Sequence, residues 1–328
     1  MARILDTDTN RFHPLRAHHT FGRSTDKVDT SVTSPTASRI HAAFQWSGQG
    51  WQVRDLSRNG TWVAGVRLTA SQDVDIVAGD EVFFGSPDGD SWQFVDDSPP
   101  RSLLLANTPD TSTVELKPYT FLPNEGHPEI ALTYSQNRHC WLSHRVEDAD
   151  PEQSERVLKH GELLFCNGQQ WKIFLAECEN ATELYPLAEN QLDDFEFVFD
   201  LSLDEENTIL RLERQQQTLD MGERTHHYLL LHLARIRAMA AQHGLDQNTE
   251  GWIANDQLSK DLGMDMAHIN ILIFRARKQF AESSDVSLES EHLVERGKGR
   301  LRFGCPRFKI YKGQQLAYQM PIAAAVYA

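Results

Sequence analysis

Cysteine and long apolar runs are scarce in this 328-residue chain, and their scarcity argues against several classes of protein. The only cysteines are Cys140, Cys166, Cys178 and Cys305, and no two of them form a CxxC pair. That spacing fits neither a disulfide scaffold nor a zinc site, so we expect four reduced thiols. No apolar run approaches the ~20 residues that cross a bilayer, and the opening MARILDTDTNRF lacks a signal-peptide layout. We therefore expect a cytoplasmic protein without membrane contact.

Motifs for catalysis and metal binding are also missing. The sequence contains no GxxxxGK[ST] loop, no kinase glycine loop or HRD motif, and no recognisable Ser/His/Asp or Cys/His arrangement. The middle of the chain has four histidines without the spacing of metal ligands: His127, His139, His144 and His160. We predict that the protein is not an enzyme and that it uses no cofactor or metal ion.

Basic residues are outnumbered, because 32 Lys and Arg face 47 Asp and Glu and the net charge is −15. Such a balance argues against nucleic-acid binding, which draws on Lys and Arg to displace counterions. The charge is uneven, however: it is −4 over residues 1–100, −9 over 101–194 and −2 over 195–328. The stretch from Arg296 to Lys312 has seven basic residues and no acidic one. A basic patch near the C-terminus is therefore compatible with a nucleic-acid partner.

The hydrophobic pattern changes class once along the chain. Short alternating runs such as AAFQW, WQVRDL, TWVAGV and WKIFLA fill residues 17 to about 178 and predict strands. Helical periodicity becomes strong only at HHYLLLHLARIRAMAAQHG. The fold class is therefore multidomain, with β domains followed by an α+β domain. We predict five segments: a β-sandwich (1–98), a second β-rich unit (101–180), a linker (181–194), an α+β domain (195–312) and a tail (313–328).

An internal echo links the two β regions. VAGDEVFFGSPDGDSWQFV (77–95) and LKHGELLFCNGQQWKIFLA (158–176) share a turn, a strand, a second turn and a Trp-bearing strand. Either residues 101–180 are a degenerate copy of the first domain, or the two segments look alike because β-hairpins often do.

The first β region has polar loop residues suited to a phosphate group. Three short motifs supply an Arg, a hydroxyl and an amide: Gly22-Arg23, Ser38-Arg39-Ile40-His41 and Ser57-Arg58-Asn59-Gly60-Thr61. A phosphothreonine has nearly two negative charges and three acceptor oxygens, so its site needs these groups to converge from loops. In order and spacing the motifs resemble the signature of the forkhead-associated (FHA) domain, over residues 17 to about 95.

The resemblance implies a phosphothreonine-binding β-sandwich and a role for each matching residue. By analogy, Arg23 and Ser38 would bind the phosphate, Asn59 would hold the peptide backbone, and Arg39 and Arg58 would add positive charge. The residues expected to shape the loops are Gly22, His41 and Gly60. The partner would be a phosphothreonine-containing protein, either a Ser/Thr kinase or its substrate. The second β unit lacks these motifs, so a copy of the domain there would have no phosphate site.

The C-terminal region has a definite order of predicted elements. Three predicted strands precede three predicted helices, the last with Ile269, Ile273, Ala276 and Phe280 on one face. HLVERGKGRLRFG then suits a basic hairpin. This order resembles the winged-helix effector domain of OmpR/PhoB-type regulators, in which the hairpin is the wing. The resemblance implies that the third helix reads bases and that the wing contacts the backbone. The candidate DNA-binding residues are His268, Asn270, Arg275, Arg277, Lys278, Arg296, Lys298, Arg300 and Arg302.

Three residues of the third helix depart from that family's pattern. Leu272 and Phe274 are apolar where polar or basic side chains are usual, and Asp265 brings a charge that phosphates would repel. An apolar helix face is typical of a protein contact. Two functions therefore remain open: a bacterial transcription regulator that couples phosphothreonine reading to DNA binding, and an adaptor whose winged helix binds protein or forms a homodimer.

Overall fold

A computed structural model describes residues 1–106, 113–148, 150–176, 192–215, 217–283 and 290–320. The chain forms two compact units, Met1–Leu116 with Lys159–Pro186, and Lys117–Leu158 with Leu187–Ala328. The predicted linker up to residue 191, and Cys178 within the preceding segment, lie outside the described residues. The three described cysteines form no disulfide. Within the described ranges, no helix has the length and apolar character that a membrane span requires.

Two sheets form the predicted β-sandwich at the N-terminus, and the sandwich is confirmed. One sheet has the order β2-β1-β11-β10-β7-β8 and the other β4-β3-β5-β6-β9. The strands are β1 (Arg3–Asp6), β2 (Arg11–Pro14), β3 (His18–Gly22), β4 (Thr30–Ser31), β5 (Ala42–Trp46), β6 (Trp51–Asp55), β7 (Thr61–Val63), β8 (Val66–Arg67), β9 (Asp73–Ile76), β10 (Glu81–Phe84) and β11 (Ser91–Asp96). Alternate residues of both sheets meet in one core, where Phe21, Phe44 and Phe94 are fully buried.

Eight further strands span residues 103–174. They are β12 (Leu103–Ala106), β13 (Thr113–Glu115), β14 (Tyr119–Leu122), β15 (Ile130–Ser135), β16 (Cys140–Arg145), β17 (Arg156–Val157), β18 (Leu163–Cys166) and β19 (Gln169–Phe174). The first unit contains a sheet of order β13-β12-β19-β18, and the second unit contains a sheet of order β14-β15-β16-β17. These orders repeat β2-β1-β11-β10 and β3-β5-β6-β9 of the N-terminal sandwich.

The second unit also contains strands, three helices and a hairpin in the predicted sequence order. Strands β20 (Glu196–Leu201), β21 (Thr208–Arg214) and β22 (Gln217–Glu223) precede helices α1 (Thr225–Gln242), α2 (Asn255–Leu262) and α3 (Met266–Ala281). Strand β23 (Ile253–Ala254) pairs with the hairpin of β24 (Val294–Gly297) and β25 (Arg300–Phe303). The face of α3 that contains Ile269, Ile273, Ala276 and Phe280 is fully buried, as predicted.

A second hairpin extends this unit beyond the predicted domain end. Strand β26 (Phe308–Lys312) runs parallel to β20, and β27 (Gln315–Met320) pairs with β26 inside the segment predicted as a tail. The resulting sheet has the order β22-β21-β20-β26-β27. Residues 321–328 lie outside the described residues.

Candidate functional site

The three predicted motifs of the N-terminal domain lie in loops joined by main-chain hydrogen bonds. The Arg23 N–H donates to the Ser38 carbonyl at 3.0 Å, and the Ser24 N–H donates to the Arg39 carbonyl at 3.3 Å. The end of β3 is thereby joined to the loop before β5. Since both loops project from a rigid sandwich, their side chains are held in a fixed relation.

Gly22 lets these two loops approach each other. A Cβ atom at this position would lie 2.2 Å from the Arg39 carbonyl oxygen, a separation that real Cβ atoms essentially never show. The contact atom belongs to the backbone, so it cannot move aside as a flexible side chain could. The predicted loop-shaping role of Gly22 thus has a steric basis.

His41 joins the loop before β5 to the loop after β6. Its buried ring accepts the Ser38 N–H at Nδ1, at 2.9 Å, and its Nε2 lies 3.1 Å from the Gly60 carbonyl. Because Nδ1 is the acceptor, Nε2 must hold the proton and donate it to Gly60. Burial lowers the pKa of His41, although the Gly60 carbonyl opposes that shift. A neutral imidazole therefore connects the two loops.

Ser38 and Asn59 are both held by polar contacts within the loops. The Ser38 hydroxyl accepts the Arg58 N–H at 3.2 Å, and the Asn59 side-chain amide donates to the Thr36 carbonyl at 2.7 Å. Asn59 is exposed and Ser38 is half-buried. The Asn59 side-chain oxygen can accept a hydrogen bond from a peptide lying across the loops.

The loop after β6 is shaped by polar contacts of its own. The buried Asp55 carboxylate accepts the Ser57 N–H at 3.1 Å and the Thr61 hydroxyl at 2.8 Å. The Ser57 hydroxyl accepts the Gly60 N–H at 2.7 Å. Gly60 has a φ of +105°, a backbone conformation that L side chains rarely adopt. Ser57, Gly60 and Thr61 were included in the motif by the sequence analysis, but no role was assigned to Ser57 and Asp55 was not singled out.

Two further residues that contact Asn59, Arg67 and Thr36, were not identified by the sequence analysis. Arg67 donates from Nη2 to the Asn59 carbonyl at 2.9 Å, and its guanidinium lies over the Trp62 ring. Thr36 presents its carbonyl to Asn59. The signal for Thr36 was its place two residues before Ser38, whereas Arg67 lies on another strand and had no local signal.

Three arginines give the loop cluster its charge. The side chains of Arg23, Arg39 and Arg58 are exposed, and none has a hydrogen-bond or ion-pair partner among the described residues. A guanidinium without a carboxylate partner is available for bidentate bonds to phosphate oxygens. The cluster therefore brings together three basic groups, a hydroxyl and an amide that suit a phosphorylated peptide.

The candidate DNA-binding residues of the second unit are divided between exposed and engaged side chains. His268, Lys298 and Arg300 are exposed. Arg302 bonds to Glu295 and to the carbonyls of Gln247 and Asn248. The remaining ones contact residues of the 119–157 region or of the hairpin: Asn270, Arg275, Arg277, Lys278 and Arg296.

Two arginines of the hairpin lie near the ring of Trp252, the residue that precedes β23. The guanidinium carbons of Arg300 and Arg302 lie 4.5 and 4.8 Å from the Trp252 ring centre. Cation–π contacts of this kind fix both side chains near the hairpin. The Lys298 side chain at the hairpin turn stays exposed.

Comparison with known proteins identifies the N-terminal domain. The family model described as "FHA domain" matches residues 19–85, and no curated protein matches the chain. Similar solved structures include Mycobacterium tuberculosis EmbR in complex with a low-affinity phosphopeptide, 28% identical, with a TM-score of 0.27 over 30% of this chain and 25% of EmbR. Another is the N-terminal FHA domain of S. cerevisiae Rad53p in complex with a phosphothreonine peptide, 20% identical, with a TM-score of 0.26 over 29% and 94% of the two chains. The chain thus contains an FHA domain.

Proposed function

We propose that this protein recognises a phosphothreonine-containing protein through its FHA domain and couples that recognition to DNA binding by a C-terminal winged helix. The observation that carries the first half is the cluster of Arg23, Arg39 and Arg58 beside Ser38 and Asn59. A phosphate with nearly two charges gains most from guanidinium groups that have no carboxylate partner. A Ser/Thr kinase or its phosphorylated substrate would supply the ligand.

DNA binding is supported by the order of elements in the second unit and by its basic hairpin. Three strands, three helices and a hairpin follow one another, as in the winged-helix effector domain. Lys298 and Arg300 are exposed at the hairpin and can reach phosphates. This function would make the protein a phosphorylation-responsive transcription regulator.

A second candidate function is an adaptor that binds proteins through both domains. It is favoured by α3, because Phe274 is only 1% exposed and packs in an apolar cluster with residues of the 119–146 region. A helix whose outer face is already packed against protein cannot enter a DNA groove in that state. The adaptor would join a kinase pathway to a protein assembly.

The FHA half is tested by peptide capture. Full-length protein is titrated with a phosphothreonine peptide library and with the same library unphosphorylated. We expect binding of the phosphorylated library only, and loss of that binding in Arg23→Ala. Arg11→Ala, which removes an exposed arginine of the same domain outside the three loops, serves as the matched control. Binding that ignores phosphorylation would overturn this half.

The DNA half is tested with the DNA upstream of the protein's own gene. Anisotropy is followed across a salt series, with and without the captured peptide. Phosphate contacts predict a steep, linear fall of log affinity with log salt. Peptide-sensitive, salt-sensitive binding supports the regulator, whereas peptide capture without DNA binding at any salt concentration supports the adaptor.

A further inference from the structure

The second β region repeats the hydrogen bonding of the FHA domain as well as its strand order. In the FHA domain His41 donates its N–H to Phe21 at 2.7 Å and accepts the Leu56 N–H at 2.8 Å. In the second region Glu129 donates its N–H to Leu122 at 2.7 Å and accepts the Val146 N–H at 3.1 Å. The equivalent positions are Phe21 and Leu122, His41 and Glu129, and Leu56 and Val146.

The same equivalence holds at the turns that precede β10 and β18. The Gly79 N–H bonds to Phe94 at 2.7 Å, and the Gly161 N–H bonds to Ile173 at 2.7 Å. The two connecting loops that follow β14 and β16, residues 123–129 and 146–155, are therefore the counterparts of the FHA loops that contain Arg23, Ser38 and Asn59. We call these two segments the counterpart loops.

The counterpart loops are acidic where the FHA loops are basic. They contain seven acidic residues and no Lys or Arg: Glu125, Glu129, Glu147, Asp148, Asp150, Glu152 and Glu155. A phosphate would be repelled from such loops, whereas a cationic group would be attracted. The charge at this end of the repeat is thus inverted.

Within the second unit, helix α3 contacts the counterpart loops. Glu125 accepts hydrogen bonds from Lys278 through its carboxylate and from Arg275 through its carbonyl. Glu152 accepts one from Arg277 at 2.7 Å and one from Arg296 of the hairpin at 3.2 Å. Basic side chains of α3 and of the hairpin meet carboxylates there.

Two buried contacts fix the helix in place. The fully buried Asn270 amide donates to the Val146 carbonyl at 3.0 Å and to the Asp148 carbonyl at 2.9 Å. Beside it, the Phe274 ring lies 5.3 Å from the His144 ring and packs with Val146. An asparagine that bonds two carbonyls and an aromatic side chain buried at the centre are what a specific helix-docking surface requires.

We infer that the second β region is a copy of the FHA domain whose ligand-binding loops now bind a basic helix, and that this helix is the chain's own α3. The contact engages five of the candidate DNA-binding residues: Asn270, Arg275, Arg277, Lys278 and Arg296. The consequence of this contact rests on the proposed DNA-binding function of α3. The counterpart loops and DNA then compete for the same helix, so DNA binding requires that α3 be released from these loops.

The test uses the full-length double variant Glu125→Gln/Glu152→Gln. Its matched control is Glu206→Gln/Glu223→Gln, which removes two exposed carboxylates of the same unit outside the counterpart loops and changes the net charge equally. Hydrogen exchange is measured over residues 123–129, 146–152 and α3, and affinity is measured for a mixed-sequence DNA duplex. We expect faster exchange in these segments and DNA affinity about tenfold higher in the double variant than in the control.

Each outcome separates the two proposals. Unchanged exchange in the double variant, or a measurable DNA affinity that is equal in the double variant and the control, overturns the inference. Faster exchange together with no DNA binding by any of the proteins supports the contact of the counterpart loops with α3 and overturns the proposed DNA function. Circular dichroism, measured in parallel, verifies that both variants keep their secondary structure, and peptide capture verifies that their FHA domain is folded.

Discussion

The His41 ring accepts the Ser38 N–H at 2.9 Å, and this bond holds the loop that contains Ser38. The opposite ring nitrogen holds the Gly60 carbonyl at 3.1 Å, so one buried side chain positions two loops that also contain Ser38 and Asn59. His41 itself faces the core against Phe84 and has no exposed surface. Its contribution to peptide binding is therefore indirect, through loop geometry.

His41→Leu tests this indirect role. The leucine fills most of the space but leaves the Ser38 N–H and the Gly60 carbonyl without their partner, at a cost of about 2–4 kcal/mol in the free energy of unfolding. Denaturant unfolding measures this loss, and peptide titration of the folded variant should show weaker phosphopeptide binding. His18→Leu, an exposed position in the adjacent strand, is the control and should change neither. Full peptide affinity in folded His41→Leu would contradict the positioning role.

Arg23→Ala should weaken phosphopeptide binding by about a hundredfold or more, because it removes a charge-assisted contact to the phosphate. The side chain is exposed and has no partner among the described residues, so the free energy of unfolding should stay within about 0.5 kcal/mol. Calorimetric titration measures the affinity and denaturant unfolding the stability. Equal affinities of Arg23→Ala and Arg11→Ala would refute the assignment of the phosphate site.

Gly22→Ala should disturb the site without touching any polar side chain. The added Cβ would meet the Arg39 carbonyl oxygen at 2.2 Å, so the two loops must separate. We expect a loss of about 1–3 kcal/mol in the free energy of unfolding, as for other overpacked positions, and weaker peptide binding. Gly50→Ala is the matched control, because a Cβ there would meet nothing within 4 Å. A Gly22→Ala variant as stable as this control would show that the loops tolerate separation.

The FHA domain and the meeting of its three loops were predictable because their signal is local. Each motif is a short run of turn residues, and the loops it forms are shaped by contacts between near neighbours, such as Ser57 with Gly60. The buried stripe of α3 was equally readable, since Ile273 and Phe280 recur at helical spacing. Local chemistry and periodicity thus sufficed for the loops and for the core, while the peptide-binding roles of the loop residues stay predictions.

The covering of α3 was not predictable, because its contacts join distant parts of the chain. Asn270 and Val146 are 124 positions apart, and no local pattern links them. The departures noted in α3 have separate structural reasons: Asp265 accepts the His268 N–H as a helix cap, and Leu272 lies in the main core. Of these three residues, Phe274 is the one that packs against residues of the 119–146 region.

His19 should make the stability of the FHA domain depend on pH. Burial lowers the pKa of His19 to about 3, and its Nε2 lies 2.8 Å from the Thr30 hydroxyl. In the unfolded chain this histidine binds a proton near the ordinary pKa of ~6.5. The contribution of His19 to the free energy of unfolding is therefore fully present above that pH and is lost as the pH falls from there toward 3. Between pH 7 and pH 5 the loss from this residue is about 2 kcal/mol.

The His19 contribution is isolated by comparing His19→Gln with His18→Gln. Both variants remove one histidine from β3, but His18 is exposed, so only His19→Gln should flatten the pH dependence. Denaturant unfolding at pH 7 and pH 5 gives the change in unfolding free energy for each protein. The nearby Asp29 carboxyl has a pKa lowered to about 2, because its bonds to Thr20 and Arg16 outweigh its burial, and it therefore titrates below this window. An equal drop in stability between the two pH values for both variants would assign the effect to other groups.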